Sequence, residues 1–334
     1  MHSLLENLNI LIIFIVFCIS LFLLSKAADY LVDNAVKLSK LWGLPEMIIG
    51  ATIVSIGTTL PELSAAVSSV LKGNASFALG NAVGSIITNT SLILGIGALF
   101  GKIPVDRKSS QKFNLLIAAV FLLILPTLPY KVQNQGSHIP QWMGFIFLIL
   151  IIIYISYLII QEKDNTSVSK GNKSKIQGNK DTGNVFIIIF SIFISALVIA
   201  ASASSLVSSA EILARRIGVS DVIIASTLVA FGTSVPELST CIAAAKRNYG
   251  GLAIGNIMGA NILNILLVVG ASAALITGGI EVAEEFYGVH FITLAIVLSV
   301  FGFFAYNSKI NEISKREGTI LISIYILYLI TNFI

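Results

Sequence analysis

The chain has 334 residues, of which 56% are hydrophobic and 11% charged, with a mean hydropathy of +0.92. That composition excludes a soluble domain and calls for a bundle of membrane spans. The net charge of +4 comes from Lys and Arg scattered over short loops between apolar runs, so it marks topology and not a nucleic-acid surface.

Taken in order, apolar windows long enough to cross about 30 Å of hydrocarbon fall near 8–40, 45–71, 77–100, 113–130, 142–161, 185–216, 219–245, 252–276, 286–306 and 318–334. This predicts an all-α polytopic membrane protein of ten transmembrane helices. The first window has no Lys or Arg ahead of it, which makes it a retained span and not a signal peptide. Spans one and six are long and carry polar residues in their second halves, as tilted helices beside an aqueous cavity would. Cys18 and Cys241 sit in apolar runs and are read as buried, with no disulfide or metal cluster. Residues 162–183 are rich in Lys, Asn, Ser and Gly and form a linker between a first unit, 1–161, and a second, 184–334.

The two units are copies. Gly57-Thr58-Thr59-Leu60-Pro61-Glu62 returns as Gly232-Thr233-Ser234-Val235-Pro236-Glu237, and at the same offset Gly80, Asn81, Gly84 and Asn89 return as Gly255, Asn256, Gly259 and Asn264. A five-span repeat crosses the membrane an odd number of times, so its second copy must be inverted. With the linker cytoplasmic, Lys40, Lys102, Lys112, Lys246 and Arg247 share its side, against Lys72, Lys131, Arg215 and Arg216 on the other. That bias predicts a multi-pass protein of the cell (inner or plasma) membrane with both termini outside.

Pro61 and Pro236 lack an amide hydrogen, and the glycines four residues earlier weaken the helix, so spans two and seven should break there. Carbonyls freed at membrane depth survive only where they line enclosed or watery space, and there they can hold a cation. Glu62 and Glu237 have no nearby lysine in sequence. Each would cost about 2.5 kcal/mol or more as an unpaired ion at the midplane, so a bound cation or a proton must stabilise it. Two carboxylates among hydroxyl and amide oxygens suit Na+ or Ca2+. They balance one Ca2+ or two Na+, so either ion can displace the other. Ser85 and Asn89, four apart, share the face opposite, and Gly84 and Gly259 are expected to let helices approach closely.

These motifs, with GNAVGSIITN in the first copy and GGLAIGNIMGANILN in the second, resemble the sodium/calcium exchanger family of the calcium:cation antiporters. The resemblance implies an antiporter, not an enzyme, with no cofactor, Ca2+ and Na+ as substrates, the bilayer as its setting and no need of a second subunit. Na+ entering by alternating access would drive Ca2+ out. The ligands it implies are Glu62 and Glu237, Thr58 and Thr233, Thr59 and Ser234, Ser85, Asn89, the position of Asn264, and the carbonyls of Ser55 and Ala230. Two departures stand out. Ala260 replaces a frequent Ser, and Asn264 replaces a frequent Asp, which argues against K+-dependent exchange; Gly-Thr-Thr/Ser and Pro in the hexapeptide argue against proton/calcium exchange, the other alternative. Asn81 and Asn256 are read as helix caps or cross-links, Ser64 and Ser239 as packing hydroxyls, and Lys26 as snorkelling or paired with Asp29. A channel filter would call for symmetric subunits, and no hydrolase or zinc motif is present.

Overall fold

The computed structural model of the chain describes residues 9–105, 107–128, 137–168, 184–218, 230–284, 286–307 and 311–331. They form helices α1 (Ile10–Trp42), α2 (Glu46–Thr58), α3 (Leu60–Leu71), α4 (Ala75–Phe100), α5 (Arg107–Ile124), α6 (Gln141–Val168), α7 (Val185–Arg216), α8 (Ala230–Gly232), α9 (Val235–Lys246), α10 (Gly250–Leu275), α11 (Phe286–Asn307) and α12 (Lys315–Thr331). Six of them are long and apolar enough to cross a membrane, or seven when α2 and α3 count as one span. α6 runs on as helix through the linker's first seven residues; the rest of the linker, and much of the expected seventh span, lie outside the described residues.

Burial sorts the helices. The most apolar window of α10 is 94% buried and that of α4 is 72%, whereas α1 shows only 17%. α1 therefore presents Leu11, Phe14 and Phe22 outward and packs its length along α7. An all-round apolar helix in a protein of this hydropathy belongs at the centre, and α10 holds that place. Cys18 also lies on the outward face of α1, so burial holds for Cys241 alone. The apolar character of α1 gives no clue to which of its faces meets protein.

Two short antiparallel pairings mark the ends of the bundle. Strand β1 (Ile103–Pro104) pairs with β4 (Glu312–Ile313), and β2 (His138–Ile139) pairs with β3 (Ile280–Glu281). α4 begins beside β3, where Ser76 Oγ donates to the Glu281 carbonyl at 3.4 Å, and ends at Gly101, against Ala245. α10 begins against Lys102 and ends where Gln141 Nε2 donates to the Ala274 carbonyl at 2.9 Å. Matched segments of the duplication thus run in opposite directions between the two ends. The β1–β4 end gathers Lys40, Lys112 and Pro104 around one cavity, with Lys102 and Lys246 beside it.

Close packing of α2 on α10 brings the copies together. A Cβ on Gly255 would lie 2.3 Å from the Met47 carbonyl oxygen, and one on Gly259 would lie 2.6 Å from that of Ala51. At Gly84, the match of Gly259, a Cβ would meet nothing within 4 Å. Close approach therefore holds for Gly259; most of the segment of the second copy that matches α2, and would face Gly84 in the same way, lies outside the described residues.

Candidate functional site

The site starts where the chain bends. α2 and α3 meet at a 40° turn centred on Thr59, with Pro61 in the first turn of α3. In the second copy α8 ends at Gly232, Thr233 and Ser234 form a turn, and α9 opens with Pro236 in its first turn. A proline there cannot bond back to the carbonyl four residues earlier, so the Gly57 and Gly232 carbonyls lose their helical donors. α7 fills the space beside both glycines: a Cβ on Gly57 would lie 2.9 Å from that of Ala196, and one on Gly232 would lie 3.0 Å from Val207 Cγ1.

Glu62 and Glu237 occupy the first turns of α3 and α9, where helix dipoles favour a negative charge. Both are 0% exposed, and none of their four carboxylate oxygens has a hydrogen-bond partner among the described residues. They lie near enough to interact electrostatically with one another. Two buried like charges without partners pay desolvation and mutual repulsion together; a cation between them offsets both.

Several other sequence-predicted ligands make contacts between the two copies. Thr58 Oγ1 lies close to Glu237 and donates to Asn256 Oδ1 at 3.2 Å; Thr233 Oγ1 donates to Asn81 Oδ1 at 3.2 Å. Ser234 Oγ donates to Ser85 Oγ at 3.3 Å, which joins the two copies again. Asn89 and Asn264 each open a π-helical turn, Asn89–Ile93 and Asn264–Val269, at matched positions of α4 and α10. Such turns free backbone groups and cluster at functional sites. The Ser55 carbonyl accepts the Thr59 amide at 2.9 Å and the Thr58 hydroxyl at 3.4 Å, so it is already engaged within its helix. Ala230 opens α8, and its side chain lies outside the described residues.

Among the described residues, the buried side-chain polar atoms without a partner are Thr59 Oγ1, both oxygens of Glu62 and of Glu237, Asn89 Oδ1, both amide atoms of Asn264, Asn256 Nδ2 and Ser272 Oγ. Apart from the last two, every one belongs to a residue singled out in the sequence as a ligand. Native proteins rarely leave such atoms unmet. The donors are hard oxygens, and no group of three or more His, Cys, Asp or Glu occurs among the described residues, so the set fits Na+ or Ca2+ and not a softer metal.

Sequence reasoning missed the support of this site. Asn261 accepts from Asn89 Nδ2 at 3.0 Å and donates to Thr90 Oγ1 at 2.8 Å, which pins the Asn89 amide and leaves its oxygen free. Asn261 has no counterpart in the first copy, where the matched residue is Ile86, so the duplication could not reveal it; only its polarity in an apolar run could. Tyr154 on α6 donates to the Ala51 carbonyl at 3.2 Å, within a π turn of α2. Asp29 and Asp33 pair with Arg247 rather than with Lys26, which lies over the Phe22 ring, and Glu211 pairs with Arg215 at 3.0 Å. Asp29, Asp33 and Glu211 are thus each paired with an arginine.

A sequence model described as sodium/calcium exchanger protein matches residues 12–161 and 187–334. The chain is 31% identical over 315 residues to an uncharacterized membrane protein, MJ0091, of Methanocaldococcus jannaschii, covering 93% of this chain and 95% of that one. It is 28% identical over 351 residues to sodium/calcium exchanger MaX1 of Methanosarcina acetivorans, covering 96% and 98%. Its structure superposes on that of the sodium-calcium exchanger NCX_Mj soaked with 10 mM Na+ and 10 mM Sr2+ with a TM-score of 0.77 at 26% identity, over 96% and 98% of the two chains.

Proposed function

The chain belongs to the sodium/calcium exchanger protein family, and from that premise we propose that it is a secondary antiporter in which Na+ moving down its gradient extrudes Ca2+ by alternating access. The single observation that carries this reading is the pair Glu62 and Glu237, fully buried, partnerless among the described residues and contributed one by each copy. Two negative charges in a dry site balance one Ca2+ or two Na+. Occupancy by one ion therefore excludes the other, and coupling follows from charge.

The architecture that would turn such a site over is an inverted pair of five-helix repeats, residues 1–161 and 184–334, with ten spans and breaks in the second and seventh. The opposite run of α4 and α10, the bend at Thr59 and the turn at Thr233 and Ser234 support it. The gathering of Lys40, Lys102, Lys112 and Lys246 at the β1–β4 end supports a cytoplasmic position for that end. The ligands in this reading are Glu62, Glu237, Thr58, Thr233, Thr59, Ser234, Ser85, Asn89 and Asn264, with the Ser55 and Ala230 carbonyls as further oxygens.

The test is Ca2+ flux into proteoliposomes under Na+, K+ or H+ gradients applied one at a time with the membrane potential clamped. Flux driven by the Na+ gradient alone is expected. Equal flux under K+ or H+ gradients, or flux indifferent to every gradient, would replace this reading with another exchanger type or with a channel.

A further inference from the structure

Asn81 and Asn256 hold matched positions in the two copies, and each meets a threonine of the opposite copy. Thr233 Oγ1 lies 3.2 Å from Asn81 Oδ1, and Thr58 Oγ1 lies 3.2 Å from Asn256 Oδ1. We propose that Asn81 is a positioning residue for the transported cation: it takes the proton of the Thr233 hydroxyl and so turns that oxygen's lone pairs toward the ion. The proposal rests on the exchange reading above, since it assigns a task to a residue beside the ion site and not in it.

The direction of the bonds carries the argument. Asn81 Nδ2 donates to the Glu62 backbone carbonyl at 3.4 Å, and a carbonyl can only accept. That contact fixes the amide's orientation and places Oδ1 against Thr233, which must then be the donor. A hydroxyl has one proton and two lone pairs. Left to rotate, it points its positive end at a cation for part of the time; with the proton fixed on an asparagine oxygen, it offers only lone pairs.

A plain cross-link between helices would need no such polarity, nor the same partner types at both matched places. At the other end the Thr58 hydroxyl has two acceptors for its one proton, Asn256 Oδ1 at 3.2 Å and the Ser55 carbonyl at 3.4 Å, and Asn256 Nδ2 is buried without a partner among the described residues, so the inference is confined to Asn81.

Na+ should feel this more than Ca2+. It carries one charge to the divalent ion's two, so a larger share of its binding rests on neutral oxygens. Asn81 is the better target for substitution, being half-buried where Asn256 is fully buried.

The experiment is a double-mutant cycle in proteoliposomes, reading the Na+ concentration that half-inhibits 45Ca2+ uptake beside the KM for Ca2+. Asn81→Ala is expected to raise the half-inhibiting Na+ concentration roughly tenfold, the scale of one lost hydrogen bond, with a smaller change in the KM for Ca2+. On a Thr233→Val background, Asn81→Ala should add less than about twofold, because the hydroxyl it orients is gone. Unchanged Na+ dependence in Asn81→Ala, or effects that multiply in the double variant, would overturn the proposal. Where Asn81→Ala does not insert, Asn81→Ser takes its place in the same cycle and is judged by the same two criteria. Wild-type vesicles without Na+-dependent Ca2+ flux would instead overturn the exchange reading itself, so the two failures are distinct.

Discussion

Glu62 and Glu237 have no hydrogen-bonded counter-charge among the described residues, and the charged group that Glu62 feels is Glu237. Asp29 and Asp33, by contrast, face Arg247, Glu211 faces Arg215 and Glu312 faces Lys102, all with partial exposure. Exposed pairs of that kind contribute about 1 kcal/mol or less. On the proposed reading the two buried carboxylates answer to the transported ion, so neutralising either one should remove transport and leave the fold intact. Glu62→Gln and Glu237→Gln are each expected to lower Na+-driven 45Ca2+ uptake by roughly 100-fold or more, on the scale of about 3 kcal/mol for a lost buried charge partner. Full uptake by either variant would remove that residue from the site. Both carboxylates were legible in the sequence because a charge inside an apolar run is costly to keep, and its return at a fixed offset ties it to the duplicated motif. Asn261 was not, because its task depends on reaching Asn89 in a distant helix, and no local pattern records that contact.

At the scale of elements, the site depends on how closely α10 can lie against α2. Gly255 meets the Met47 carbonyl and Gly259 meets that of Ala51 at distances no Cβ tolerates, and both obstacles are rigid backbone. Gly255→Ala is therefore expected to cost about 1–3 kcal/mol by overpacking, read as a clear fall in the thermal midpoint of the detergent-solubilised protein. An unchanged midpoint in Gly255→Ala would contradict the close packing of α10 on α2. The repeat marks Gly84 and Gly259 alike; α2 supplies the wall that Gly259 meets, while most of the matching segment of the second copy lies outside the described residues. Helix positions were legible from hydropathy, and the bends from Pro61 and Pro236. The outward placement of Cys18 was not, since lipid and protein are equally apolar surroundings for α1.

For the whole molecule, the duplication in the sequence matters more than any single motif. It puts one buried carboxylate in each copy. The Thr58–Asn256 and Thr233–Asn81 contacts, together with Ser234 on Ser85, tie the copies together. A single shared site predicts competition with a fixed stoichiometry, which an equilibrium measurement can read without any gradient. The direct test is titration of 45Ca2+ binding to the purified protein at rising Na+ concentrations. The account predicts one Ca2+ bound per chain and complete displacement by Na+ with a Hill coefficient above one; Ca2+ retained at saturating Na+, or displaced with a coefficient of one, would contradict it.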